Sequence, residues 1–502
     1  MPPRARVSRS RLTPSPPEEA PEEEPLVAPA RAPAKKAAPR SRALSTDALE
    51  RLGARRLAEL LMSQAKDNPA FARSLRLALA ATDGTARLAA EVEKRLRTIQ
   101  RSKGFIDWDK VRPLARELEG LRATIAGPLA ASNPRAAVAQ MRLLVELAAG
   151  VLERSDDSSG ILEEAFRQAG TELGRLWALL PSRNPEALAG ELLALLNADG
   201  YGVTDRLLAA AGPALGPGGR VELRRLLQAR LAALPRSRGR EDHGSWHGRG
   251  VVSFHLRELA DLEGDVDAFT AAAEAGGRAE NMACDIAERL IAHGRPAEAL
   301  AWLERAPGRH EEEEVRRTDL RIAALDALGR KEEAQALRWE AFRRWLTEAH
   351  LRPYLRALPD FDDVDAEDRA VAHALSHPDR NLALTFLVGW PKLEAANPLV
   401  RARHGEFDGR DYGRLRPAAE ALAERYPAAA TLLHRALAED VLRRASSRQY
   451  QYAARDARAC ASLAPLLSDA VGLESHAAFM ARLRREHPRK AGFWSLLEPI
   501  AQ

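Results

Sequence analysis

Apolar residues recur along most of the chain at the spacing of amphipathic α-helices. The pattern begins near Ser45, after which Leu49, Leu52, Leu57 and Leu60 share one face of a helix with 3.6 residues per turn. Similar stretches continue to about residue 486 and are separated by Gly, Pro and Asn residues, which commonly end helices. We find no stretch with the two-residue alternation of a β-strand. The pattern therefore predicts an all-α fold.

Two stretches in the C-terminal half repeat one helix-turn-helix phrase. Gly294 is followed by Arg-Pro-Ala-Glu-Ala, and Gly329, which is 35 residues later, is followed by Arg-Lys-Glu-Glu-Ala. This distance is close to the roughly 34-residue period of tetratricopeptide repeats. We expect each glycine to adopt the left-handed conformation that ends a helix. The repeat predicts helical hairpins stacked into a tetratricopeptide-like α-solenoid.

Composition divides the chain into four segments. Residues 1–44 are rich in Pro, Ala, Arg and Glu, and they contain few large apolar side chains, so we expect a disordered tail. Residues 45–235 and 253–502 carry the helical pattern, which predicts an N-terminal helical domain and a C-terminal helical-repeat domain. Residues 236–252 contain four glycines and little apolar content. We expect them to form a flexible linker.

The net charge of +5 is concentrated in the tail. Residues 1–45 contain nine basic side chains and five glutamates, so they account for +4 of the total. The remainder has no excess charge that would require a nucleic acid or an anionic membrane as partner. No apolar run approaches the roughly 20 residues of a membrane span, and no secretory signal is recognisable. We therefore expect a cytoplasmic protein that does not enter a membrane.

The motifs that resemble catalytic or ligand sites are incomplete. Residues 156–160 look like a calcium loop, but Phe166 stands where the loop needs a glutamate. We expect a turn there instead, capped by Asp or Ser side chains. His310 lacks the second histidine of a zinc-protease helix, because residue 314 is Glu. Residues 212–219 are glycine-rich without the Lys-Ser or Lys-Thr of a phosphate-binding loop.

Histidines and cysteines elsewhere are no stronger as candidates. His243 and His247 have four-residue spacing, but neighbouring glycines argue against a helix, and no further ligand lies nearby in sequence. Cys284 and Cys460 fall within helical patterns and are expected to be small buried hydrophobic residues. We therefore expect no catalytic residue, no metal site and no cofactor.

One cluster near the C-terminus suggests an interaction surface. Arg485, His487, Arg489, Lys490 and Trp494 combine positive charge with an aromatic ring, as a contact to an anion or a nucleic acid does. An alternative is that these cations stabilise the last turn of a helix. Most other tryptophans lie on apolar helix faces, where we expect them to fill the core.

Several phrases in serial order resemble a known family. They include Phe105-Ile106-Asp107-Trp108, Asn184-Pro185-Glu186-Ala187, residues 294–302, residues 386–391 and residues 487–494. Through these and other phrases, most of residues 46–497 resemble an uncharacterised bacterial family of all-helical proteins. That family is similar to the helical region accompanying SWIM-type zinc fingers. The chain lacks the Cys-x-Cys and Cys-x-His pairs of such a finger. The resemblance implies a helical fold, and it implies neither zinc binding nor a reaction.

These observations favour a non-enzymatic scaffold whose helical hairpins bind a protein or a peptide. Two alternatives stay open. The first is a nucleic-acid-associated protein that uses the basic tail and the basic C-terminal end. The second is an enzyme whose active-site residues converge from distant helices. The identity of the partner and the oligomeric state do not follow from the sequence.

Overall fold

The fold is helical throughout the part of the chain that the structure describes. The computed structural model describes residues 45–180, 184–235, 243–277, 279–305, 308, 310–467 and 472–497. In these ranges the nearest approach to a sheet is one isolated bridge between Ile106 and Ser155. The predicted all-α class is confirmed. The predicted tail, residues 1–44, lies outside the described residues.

Backbone contacts divide the chain into two compact units between Arg76 and Leu77. The described part of the first unit contains α1 (Thr46–Glu50) and α2 (Gly53–Asp67), and α3 (Pro69–Asp83) crosses the boundary. The next helices in the second unit are α4 (Thr85–Arg101), α5 (Trp108–Thr124), α6 (Ala130–Ser132), α7 (Pro134–Glu146), α8 (Ala148–Leu152), α9 (Ile161–Trp177), α10 (Pro185–Ala198), α11 (Leu207–Ala233) and α12 (His243–Glu263). A π-helical turn, Ile125–Leu129, joins α5 to α6.

The remaining helices continue in the same unit. They are α13 (Val266–Ala275), α14 (Ala283–Ala292), α15 (Pro296–Arg305), α16 (Glu311–Ala327), α17 (Lys331–Trp345), α18 (Glu348–Arg356), α19 (Asp362–Ser376), α20 (Arg380–Gly389), α21 (Leu393–Arg403), α22 (Tyr412–Leu422), α23 (Pro427–Arg443), α24 (Tyr450–Leu463), α25 (His476–Glu486) and α26 (Ala491–Leu497). Short 3-10 turns lie at Ala279–Met282, His404–Glu406, Ser447–Gln449 and Ala464–Leu467.

Gly294 and Gly329 end their helices as the repeat predicts. Both have a positive φ, 72° and 73° respectively. Behind Gly294, the amide of Arg295 donates to the carbonyl of Leu290 at 2.8 Å, and the equivalent bond behind Gly329 is 2.9 Å. Such bonds satisfy carbonyls that a helix end leaves unpaired, so each hairpin is closed by a local motif.

Apolar side chains are buried between helices that are mostly neighbours in sequence. The described core consists of four clusters that follow one another along the chain. Their main parts lie in residues 80–259, 260–324, 342–437 and 438–494. Trp177 and Phe166 are among the largest fully buried side chains. The helical-hairpin arrangement that the repeat predicts is therefore present.

The segment assigned to a linker is partly helical, because α12 begins at His243. Residues 236–242 lie outside the described residues. Val252 and Leu256 belong to the same buried cluster as Leu227, so apolar packing continues beyond the segment. The Arg249 guanidinium donates to backbone carbonyls at the ends of α11 and α13, including that of Leu231 at 3.0 Å. These contacts offset the poor helix propensity of the glycines, which had argued against a helix. The division into two helical domains at this point stays a prediction.

A bend replaces the break expected inside α11. The sequence predicts two helices separated at Gly212 and Pro213, whereas the structure places the non-helical residue at Gly216, with φ 56° and ψ −174°. Pro217 explains the position, because proline excludes the residue before it from the helical region. Gly216 adopts the resulting backbone conformation, which other residues reach only with strain.

Gly174 on α9 and Gly190 on α10 provide a matched test of close helix packing. A Cβ atom at position 174 would lie 2.6 Å from the Cβ of Ala210 and 2.8 Å from the backbone nitrogen of Ala211, whereas a Cβ at position 190 meets nothing within 4 Å. We expect Gly174→Ala to lower the free energy of unfolding by about 1–3 kcal/mol through overpacking. Gly190→Ala should raise it by about 0.5–1 kcal/mol, because alanine favours a helix. Urea denaturation followed by circular dichroism measures both, and equal responses would contradict this account of α9 and α11.

Candidate functional site

The five residues singled out near the C-terminus do not share one surface. Trp494 is 8% exposed and belongs to the last apolar cluster. Its indole Nε1 donates to the backbone carbonyl of His487 at 2.9 Å, and the Arg484 guanidinium lies 4.5 Å from the ring centre. The ring is therefore a core element and not a contact offered to a ligand. Arg485 is exposed at the end of α25.

Arg489 and Lys490 do line a common feature, an open depression between the start of α24 and the turn before α26. Its volume is about 490 Å³, and it is widely open to solvent. We call it the basic depression. It is lined by Ser447, Arg448, Tyr450, Gln451, Arg489, Lys490, Ala491, Gly492 and Leu496.

Arg448 is the cation that sequence reasoning missed. It lies about 40 residues before Arg489 in the sequence, and no motif surrounds it. The fold brings it to the depression because α24 packs against α26. The local feature that precedes Arg448 is a turn after the end of α23. There Ala445 adopts a positive φ of 56°, and the chain continues into the 3-10 segment Ser447–Gln449.

The floor of the basic depression is closely packed. Tyr450 is 8% exposed, and its ring lies edge-on to the Phe493 ring with centres 6.5 Å apart. A Cβ atom on Gly492 would lie 3.5 Å from the Tyr450 ring, so α26 approaches this ring closely. The Arg458 side chain also donates to the carbonyl of Leu496. Both walls of the depression are thus tied to α24.

All the charged residues that line the basic depression are cations. Arg448, Arg489 and Lys490 line it, and none of its lining residues is acidic. With respect to side chains in the described ranges, these three cations form no ion pair. Arg482 on α25, in contrast, donates hydrogen bonds to Glu474 and Glu439, which raise the pKa of its guanidinium. The first turn of α24 adds the positive end of a helix dipole. The arrangement suits an anionic group.

A buried ionic cluster holds α24 in place. The Asp456 side chain is 1% exposed, and it accepts from Arg416 on α22 at 2.7 Å. Its other oxygen lies 3.0 Å from Nδ1 of His434 on α23. The hydrogen bond to Asp456 raises the pKa of the Arg416 guanidinium. A buried carboxylate is tolerated only when it is paired in this way, so Asp456 joins three helices.

The two cysteines lack the surroundings of a nucleophile. Cys460 is fully buried, and burial raises the pKa of its thiol to about 12, although Arg435 opposes the shift. Burial also raises the pKa of Cys284. Reactive cysteines have a lowered pKa and access to solvent. The prediction that both are small buried residues is confirmed.

Two of the remaining motifs, around Asp157 and His310, have structural roles. Asp157 accepts from the amides of Ile161 and Glu163 at 3.0 and 2.9 Å, so the expected capping turn is confirmed. His310 Nδ1 accepts from the amide of Glu313 at the start of α16. The side chains of His243 and His247 lie outside the described residues. In the described part of the chain, no group of three or more His, Cys, Asp or Glu side chains is placed to hold a metal ion.

None of the described helices is both long and apolar enough to cross a membrane.

Comparison with protein families gives a match over most of the chain. Residues 39–496 match a family of unknown function, DUF6880. The chain belongs to this family. No curated protein matches the sequence.

One solved structure matches this chain over most of its length. It is a circular tandem repeat protein with novel repeat topology and enhanced subunit contact surfaces, 14% identical, covering 89% of this chain and 90% of its own, with a TM-score of 0.13. A likeness at this TM-score does not bear on fold or function. Because the function of the DUF6880 family is unknown, the geometry of the described residues is the basis for a functional proposal.

The burial of Cys460 predicts slow alkylation. A rise in pKa from the ordinary value of 9.0 to about 12 lowers the thiolate fraction roughly a thousandfold. We expect Cys460 to resist iodoacetamide at pH 8 in the folded protein and to react in denaturant, as followed by mass spectrometry. Ser462→Cys, which adds an exposed thiol on the same helix, should react rapidly and serves as the control. Equal rates at the two positions would contradict the burial of Cys460.

Proposed function

We propose that this protein is a non-enzymatic interaction scaffold whose basic depression binds an acidic segment of a partner protein. The observation that carries the proposal is the convergence of Arg448, Arg489 and Lys490 on one open depression lined by no acidic residue. Side chains that are not engaged within the described fold keep their charge available for a ligand. Carboxylates of a partner would form charge-assisted hydrogen bonds with them.

The lining favours a peptide over a bare ion. Besides the cations, it contains the amide of Gln451, the hydroxyl of Ser447 and the 38% exposed side chain of Leu496. Such a mixture of apolar surface and a few polar groups is typical of sites that take organic ligands. The open shape admits an extended segment or a loop of a partner.

Nucleic-acid association is the second candidate, and the same three cations favour it. Phosphates would replace carboxylates, and the arginines of the tail would add contacts. However, stacking on exposed aromatic rings is the usual complement of single-strand binding. In the basic depression the nearby rings of Tyr450 and Trp494 are both packed, at 8% exposure each. For this reason we rank the nucleic-acid hypothesis second.

Three further expectations remain proposals. The likeness to the region accompanying SWIM-type zinc fingers and the bacterial origin stay predictions, as does the cytoplasmic location. An enzyme with residues from distant helices is the least supported alternative, because the buried acid-base cluster of His434 and Asp456 is engaged in joining helices.

Charge reversal in the basic depression tests the proposal. We expect full-length protein to bind a fluorescent peptide that contains several Asp residues around one Phe, and to bind its Asp→Asn analogue less. A triple variant, Arg448→Glu with Arg489→Glu and Lys490→Glu, should bind the acidic peptide at least about tenfold more weakly, which is a loss of about 1.4 kcal/mol. Fluorescence anisotropy gives the Kd values.

A matched control carries the same change in net charge elsewhere. Lys331→Glu, Arg401→Glu and Arg443→Glu reverse three exposed cations on α17, α21 and α23 that form no ion pair with described residues. This variant should bind the peptide almost as the unchanged protein does. Equal losses of peptide affinity in the two variants would show that net charge alone determines the binding. Tighter binding of a DNA duplex, with affinity falling steeply as salt rises, would favour the nucleic-acid candidate instead.

A further inference from the structure

A strongly acidic segment spans the end of the connection from α18 and the first turn of α19. Residues 360–365, which we call the acidic tip, run Asp-Phe-Asp-Asp-Val-Asp. Phe361 is 85% exposed and Val364 is 56% exposed, and Phe361 is the most exposed large apolar side chain in the described ranges. The tip therefore presents an aromatic ring surrounded by carboxylates.

The backbone holds Phe361 outward in an unfavourable conformation. Its φ is 75°, in the left-handed region that bulky residues rarely adopt. The turn is closed by the amide of Val364, which donates to the carbonyl of Phe361 at 3.2 Å, and by the amide of Asp362, which donates to Pro359. A glycine would meet this backbone requirement without strain. The phenyl ring itself is left without a packing role in the fold, and exposed aromatic anchors are typical of binding surfaces.

Asp363 of the acidic tip accepts from the backbone amide of Val364 at 3.0 Å, which is a contact within the tip itself. Asp360, Asp362, Asp363 and Asp365 are exposed, and with the described side chains they form no ion pair. The last three lie in the first turn of α19, where carboxylates favour the helix dipole. Asp360 precedes the helix, so the dipole does not account for it.

The acidic tip and the basic depression are complementary. The tip offers four carboxylates around one apolar ring, and the depression offers three cations beside the exposed apolar side chain of Leu496. The volume of about 490 Å³ is ample for one aromatic side chain. Opposed charges of this kind favour encounter and set the orientation of a complex.

We propose that the acidic tip of one copy docks in the basic depression of a second copy of this chain. The inference rests on the proposed function, since it names the acidic segment that the depression binds. Tip and depression are different surfaces, so the contact is head-to-tail. After one such contact, one copy still has a free tip and the other a free depression. Further copies can therefore add, which gives a closed ring or a growing chain.

Two variants, each lacking one half of the contact, test this arrangement. The tip variant carries Phe361→Gly and Asp360→Lys, which remove the ring and reverse one charge. The glycine also relieves the backbone strain of the positive φ at this position. The depression variant is the triple charge reversal at positions 448, 489 and 490. Light scattering coupled to size-exclusion chromatography measures the mass of the full-length proteins up to about 1 mM, a range that includes weak contacts with a Kd near the millimolar level. Circular dichroism verifies that each variant is folded.

We expect the unchanged protein to form species larger than a monomer as its concentration rises. Each variant alone should self-associate at least about tenfold more weakly. An equimolar mixture of the two variants should give a dimer and nothing larger, because the tip variant keeps its depression and the depression variant keeps its tip. This restored pairing would not follow from misfolding or from a general change in charge.

Three outcomes would overturn the inference. They are a monomeric unchanged protein across the whole range, undiminished self-association of either folded variant, and a mixture of folded variants that stays monomeric. An unchanged protein that stays monomeric but binds the acidic peptide would refute self-association alone. A protein that neither self-associates nor binds the peptide would refute the proposed function as well.

Discussion

Burial of apolar faces between neighbouring helices is the constraint on which the described structure depends. A fully buried large side chain contributes about 1.5–3 kcal/mol, which must offset an ordering cost of about 1–2 kcal/mol per residue. Four successive clusters of Leu, Ala, Phe and Trp provide this burial along the second unit. Small residues such as Gly174 permit the closest approaches, with the backbone of α11 almost in contact with α9.

The same packing also determines which charged side chains are free to contact a ligand. Many described arginines are paired with acidic residues, and several of these pairs connect helices, as Arg289 does with Asp261 and Arg316 does with Asp285. Charges that remain without partners in the described fold are therefore informative. Three such cations line the basic depression and four such carboxylates lie in the acidic tip, whereas the most buried described carboxylate, Asp456, has a structural role.

Local sequence signals predicted most of the fold because they act over a few residues. Gly294, Gly329 and the cap formed by Asp157 were recognisable, since a helix end needs a left-handed residue or a side-chain acceptor nearby. The beginning of α12 was not, because Arg249 stabilises it through contacts with two other helices. The candidate site was predicted only in part. Arg489 and Lys490 were identified, but Arg448 reaches them through tertiary packing, and Trp494 is buried by the same packing.

The closure of each hairpin by its own glycine bears on how the chain acquires its structure. Because the terminating bonds behind Gly294 and Gly329 join residues only five positions apart, a hairpin can form before distant segments meet. Chains dominated by such short-range contacts tend to fold quickly, and folding can begin at several places and spread to adjacent hairpins. A protein of 502 residues would then avoid the slow search for long-range partners that its length alone suggests.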